Sequence, residues 1–133
     1  MTSTYNGSCH CGGIRFQADI NLGQGTTRCN CSICFKTRFW GAVVAPAAFR
    51  LLAGSEMLST YRFGRKREQH PFCTVCGIRP FVIGDSPRRG TFYAVNVACL
   101  DGVDDAVLAE APITYVDGRN DDWDAAPAET RHL

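Results

Sequence analysis

Seven of the eight cysteines fall into three tight clusters: Cys9-His10-Cys11, Cys29-Asn30-Cys31-Ser32-Ile33-Cys34 and Cys73-Thr74-Val75-Cys76. A metal ion needs several thiolates about 2.3 Å from one point, and short spacings supply them in pairs. Disulfides are the competing use. Bridging Cys9 to Cys11, or Cys29 to Cys31, would close small strained rings that constrain almost nothing. The first ten residues lack the basic and apolar regions of an export signal, so a cytoplasmic, reducing setting is expected. All-thiolate sets select zinc, and no ferredoxin-type run of four cysteines is present. The chemistry expected is zinc chemistry.

The clusters divide into two sites. Cys9 and Cys11 precede Gly12, and Cys73 and Cys76 precede Gly77. A glycine after the second cysteine accepts positive φ as the chain turns under a metal. The CxC pair is expected on an extended segment, whose alternate residues share a side. Two such pairs complete a closed tetrahedral set, a structural zinc whose binding is folding energy of order 10 kcal/mol. The middle cluster differs. On a helix Cys29 and Cys31 would diverge by about 200°, so the chain is expected to run extended through Cys31 and turn at Ser32-Ile33 to bring Cys34 round. Three thiolates with an open fourth position are the pattern of a catalytic zinc. The rival is that Cys99 closes this site; otherwise Cys99 is a core thiol.

These sites need a scaffold. The chain has 133 residues, 45% hydrophobic and 20% charged, enough for a single domain (1–133) with its own core. A core of about residues 5–117 and an acidic tail over 118–133 are expected; the tail should fray, with Trp123 able to dock back. A formal charge of +1, taken to about −2 by seven ionised thiols and two zinc ions, argues against nucleic acid. No apolar run is long enough for a membrane-spanning helix. Ile14, Phe16, Ala18 and Ile20 alternate as in a half-buried strand. Further strands are expected over 39–45, 51–53, 58–63, 69–72, 80–83, 91–97 and 113–116. Turns are expected at 21–25, 54–55, 64–65 and 84–90, with short helical pieces after Pro46 and within 101–109.

The pieces GSCHCGGIRF, CNCSIC, HPFCTVCGIRPF and NVACLDG, in this order and spacing, resemble the glutathione-dependent formaldehyde-activating enzyme family, which also contains centromere protein V. The resemblance implies a mainly β fold, the β-tent of zinc-anchored, folded antiparallel sheets. It implies a structural zinc on Cys9, Cys11, Cys73 and Cys76 and a catalytic zinc on Cys29, Cys31 and Cys34. It also implies a carbon–sulfur lyase that joins a thiol, glutathione or similar, to formaldehyde or another small aldehyde. A non-catalytic zinc module that acts by binding partners is the alternative. The version here, with His70 two positions before Phe72, resembles a subgroup of the family and leaves the thiol open.

Other candidates are expected to be structural. Phe35, Phe39 and Trp40 could wall a pocket but read first as core. His70 could donate a proton but reads first as a hydrogen-bonded structural histidine. His10 should point away from its flanking ligands. Arg62, Arg65, Lys66, Arg67, Arg88 and Arg89 could meet carboxylates, though a solvated turn accounts for most of them.

Overall fold

The structure is a computed structural model that describes all residues from Met1 to Leu133. Ten strands are formed: β1 (Ser3–Ser8), β2 (Arg15–Ile20), β3 (Thr26–Cys29), β4 (Gly41–Val44), β5 (Phe49–Ala53), β6 (Leu58–Tyr61), β7 (His70–Cys73), β8 (Phe81–Ser86), β9 (Gly90–Asn96) and β10 (Ile113–Val116). Two short helices, α1 (Ser32–Thr37) and α2 (Asp105–Glu110), interrupt them. One sheet has the order β1-β2-β5, a second β10-β3-β4-β9-β8, and β6 pairs with β7 alone. All pairings are antiparallel except β3 with β10. The mainly β, antiparallel architecture expected from the sequence is the one observed.

The period-2 pattern of β2 explains the main core. Phe16, Ala18 and Ile20 are each no more than 3% exposed and face Ala42, Val44, Phe81 and Val95 of the larger sheet. Phe49 of β5 stacks on Phe16 at 5.4 Å and on Tyr93 at 4.5 Å, so aromatic rings bridge the two sheets. Each buried ring contributes its apolar area and a further edge or face contact.

Two glycines are required by close approach. Gly7 lies opposite Phe16 on β1–β2, and Gly84 lies opposite Phe92 on β8–β9. A Cβ on either would overlap the facing ring. Phe92 thereby keeps Gly84 in the strand, and the expected turn over 84–90 shrinks to the three residues between Ser86 and Gly90. Two strands lie outside the expected set. β1 is a polar edge strand with Gly7 as its only buried residue, and β3 is a short polar run whose parallel partner lies far along the chain.

Truncating Phe16 removes the ring at the centre of this stack. Phe16→Ala should lower unfolding free energy by about 3–5 kcal/mol in zinc-replete denaturant titrations. A loss under about 1 kcal/mol would contradict the central place of this ring in the core.

Candidate functional site

The two turns that carry the paired cysteines, one a residue longer than the other, close with similar backbone bonds. The Cys9 N–H donates to Ile14 O at 3.2 Å, and the Cys73 N–H donates to Ile78 O at 2.9 Å. The Gly12 N–H donates to Cys9 O at 3.0 Å and the Gly77 N–H to Cys73 O at 2.8 Å. Gly12 has φ +78° and Gly77 has φ +79°, the left-handed turn in which glycine is favoured. Cys9 and Cys11 therefore sit on a knuckle rather than on the extended segment expected of them: β1 ends at Ser8, and the chain must reverse direction before β2 begins at Arg15.

The knuckles face each other. Sγ of Cys9 lies 3.6 Å from Sγ of Cys11, which lies 3.7 Å from Sγ of Cys73. All four sulfurs, with Cys76, fall within 4.8 Å of one another. Tetrahedral sulfurs about 2.3 Å from one ion stand about 3.8 Å apart, so this set fits a metal such as zinc. The backbone is arranged for thiolates: N–H groups of Cys76 and Ile78 draw the Cys73 and Cys76 thiols below their ordinary range, Cys76 to about 6.

Cys29, Cys31 and Cys34 form the second group, again within 4.8 Å, and no fourth Cys, His, Asp or Glu atom joins them. Cys29 ends β3, and Cys31, extended at φ −62° and ψ 162°, caps α1. The turn expected at Ser32-Ile33 is the first turn of that helix, which brings Cys34 back beside Cys31. The proton load is uneven. Contacts from Cys29 and Cys34, aided by backbone N–H groups, hold the Cys31 thiol down at about 2, while contacts from Cys29 and Cys31 push Cys34 up. Cys99 is not a member. It is buried in the main core, where desolvation pushes its thiol up to about 12.

A concavity beside this group is lined by Cys29, Cys34, Phe35, Phe39, Arg28, Arg38 and Leu133. Phe35 and Phe39 thus wall it, whereas Trp40 packs on the core and donates from Nε1 to Thr26 Oγ1 at 2.7 Å. Much of the enclosure comes from residues that sequence reasoning passes over. Asn30 is 5% exposed; its amide donates to Asp117 at 2.8 Å and accepts the Arg119 N–H at 2.9 Å. Gly118 lies against Cys29, where an added Cβ would come 2.5 Å from Sγ and 2.8 Å from Trp123. Arg38 donates to the His132 carbonyl at 2.6 Å, and the His132 ring sits 5.6 Å from Phe35. The segment expected to fray is folded against the three-cysteine group. Asn30, lying between two proposed ligands, is the one readable signal of this clamp.

The basic side chains are also redistributed. Arg88 pairs with Asp124 at 2.6 Å and Arg89 stacks on Phe92, so neither engages the cysteine groups. Arg28 and Arg119 instead stack on Trp40 and Phe35, at 5.3 and 5.8 Å. His70 is 3% exposed and stacks on Phe63 at 5.4 Å. Arg79 Nη2 donates to His70 Nδ1 at 2.8 Å, which requires a neutral ring protonated on Nε2. Burial, then the Arg79 charge, pushes His70 down to about 4. This is the hydrogen-bonded structural histidine, turned toward an arginine.

A buried ring that titrates near 4 when folded and near 6.5 when unfolded makes the unfolded chain bind the extra proton between those values. Its contribution is present above about pH 6.5 and is lost as pH falls toward 4. Urea titrations across this range should show that slope, and His70→Gln should flatten it; an unchanged slope would refute the assignment.

The comparisons with known proteins agree with this geometry. The sequence model described as glutathione-dependent formaldehyde-activating enzyme matches residues 4–116. A crystal structure of a protein from Rhodobacter sphaeroides is similar at 34% identity and a TM-score of 0.70, covering 82% of this chain and 99% of that one. With both cysteine groups assembled inside the matched span, the chain belongs to the glutathione-dependent formaldehyde-activating enzyme family.

Proposed function

We propose that the protein joins a small thiol to a small aldehyde, with glutathione and formaldehyde as the leading pair, and so acts as a carbon–sulfur lyase in reverse. In this reading Cys9, Cys11, Cys73 and Cys76 hold a structural zinc, and Cys29, Cys31 and Cys34 hold the catalytic one. The observation that carries it is the contrast between a four-sulfur set and a three-sulfur set beside a lined concavity. A zinc ion at the three-cysteine site supplies one thing, the ionisation of an incoming thiol near neutral pH.

The chain's own residues do the rest. The sulfur lone pair forms a bond to the aldehyde carbon, the C=O π electrons move to oxygen, and that oxygen takes the proton the thiol has lost. The reverse reaction breaks the same C–S bond. Phe35 and Phe39 limit water around the reacting atoms. Arg28, Arg38 and Arg119 enter no ion pair and edge the site, an arrangement suited to a thiol that carries carboxylates. Holding both reactants there replaces a bimolecular encounter by a local one. A cytoplasmic setting belongs to the same proposal, since its reducing poise keeps thiolates available.

Magnetisation-exchange NMR on glutathione and formaldehyde should show adduct formation faster than in buffer alone. Cys31→Ser should cut that acceleration about 100-fold while leaving the melting temperature nearly unchanged. No acceleration by the zinc-loaded wild type would end the proposal. Zinc analysis should find two equivalents per chain. Cys73→Ser should lose one of them together with stability of order 10 kcal/mol, so a folded Cys73→Ser protein would remove the structural role.

A further inference from the structure

Arg79 follows the Cys73–Ile78 knuckle, and its backbone is fixed there: its carbonyl accepts the Asn96 side-chain amide at 2.9 Å. Its guanidinium is bound on two sides, by His70 Nδ1 at 2.8 Å and by the Phe39 ring at 5.3 Å. Nε and Nη1 are buried and have no hydrogen-bond partner. No carboxylate pairs with it; the ion pairs of the molecule belong to Arg50, Arg88 and Arg131. Buried charges are ordinarily paired, and an enclosed donor without a partner is a standing cost.

The compensating charge lies across Phe39. That ring lines the same concavity as Cys34, and its backbone N–H donates to the Cys34 carbonyl at 3.1 Å. Cys34 and Cys31 are the groups whose charge opposes the desolvation of Arg79. Glu68 and His70 also feel Cys31, and burial acts first on both, raising the Glu68 carboxyl and lowering the His70 ring.

We propose that Arg79 is the counter-ion of the three-cysteine centre, a positioning residue held by His70 and Phe39 whose enclosed positive charge strengthens metal binding by Cys29, Cys31 and Cys34. This rests on the reading that those cysteines hold a metal. Three thiolates around a divalent ion carry net −1, and an incoming thiolate takes the centre to −2. One cation in a poorly solvated position offsets the first of these charges and moderates the second. The neighbours of the guanidinium suit that role, because a neutral imidazole fixes it without cancelling its charge, as a carboxylate would. Because Arg79 follows the four-cysteine knuckle directly, the ordered state of that knuckle also sets where the charge sits.

The test uses the full-length protein loaded with cobalt(II), whose thiolate absorption reports each site, titrated with a chelator. Wild type should release the metals in two separable steps. Arg79→Met should lower affinity at the three-cysteine site about 10–100-fold and leave the four-cysteine site unchanged. The melting temperature of the zinc-loaded Met variant should hold or rise, because two unpaired buried donors are gone. Arg79→Lys, which keeps the charge, should recover part of the affinity. Arg79→Gln, which keeps a donor without the charge, should behave like Met and decides the matter if Met does not fold. Unchanged affinity in Arg79→Gln, or equal weakening at both sites, would overturn the inference. A wild type that binds a single equivalent would instead overturn the reading of the site, and this inference with it.

Discussion

Four sulfur atoms drawn to contact distance between two facing knuckles are the constraint on which this fold turns. Cys9, Ile14 and Cys73 form a buried cluster of only three residues, against thirteen in the main core. So little apolar area does not hold two loops together against their conformational entropy. Converging thiolates, moreover, repel each other unless a cation lies between them. A metal at their centre would turn that repulsion into attraction and tie the β1–β2 loop to the β7–β8 loop. The three-stranded sheet and the β6–β7 pair meet there, so the position of every element around the knuckles follows from it.

The three-cysteine group is built differently. Its ligands come from one short stretch, so their mutual spacing is nearly local: a strand end, an extended cap residue and the first turn of a helix. What is not local is its surroundings. Asn30 binds the chain beyond β10, Gly118 presses on Cys29, and Arg79 arrives from the segment after the other cysteine knuckle. The first site fixes the scaffold, and the second borrows its walls and charges from separate parts of the chain. Such an arrangement lets the cysteine triplet stay short while its surroundings are set by distant residues.

Legibility follows physical cause. β2 is readable because alternate burial imposes a period of two on its side chains. β10 is readable for a related reason, a β-branched and aromatic run between turn signals. β1 is not, since an edge strand with one buried glycine carries no apolar period and exists through its pairing with β2. β3 is hidden likewise, its partner β10 being remote in sequence. The folding of 118–133 onto the site leaves no periodic signal, because its contacts are scattered single residues: Gly118 on Cys29, Arg119 and His132 on Phe35, and the His132 carbonyl on Arg38.

The sequence by itself determined how the cysteines group: their spacing limits which sulfurs reach a common point, and two glycines mark where the backbone must turn beneath them. It also determined the mainly β character, through alternation. Only the tertiary structure decided the environment of those ligands. Whether Cys99 joins a site, which arginines edge it, and which way His70 faces all depend on contacts between segments far apart along the chain. Electrostatic environment is set by burial and distance in three dimensions, and neither is encoded in a local pattern.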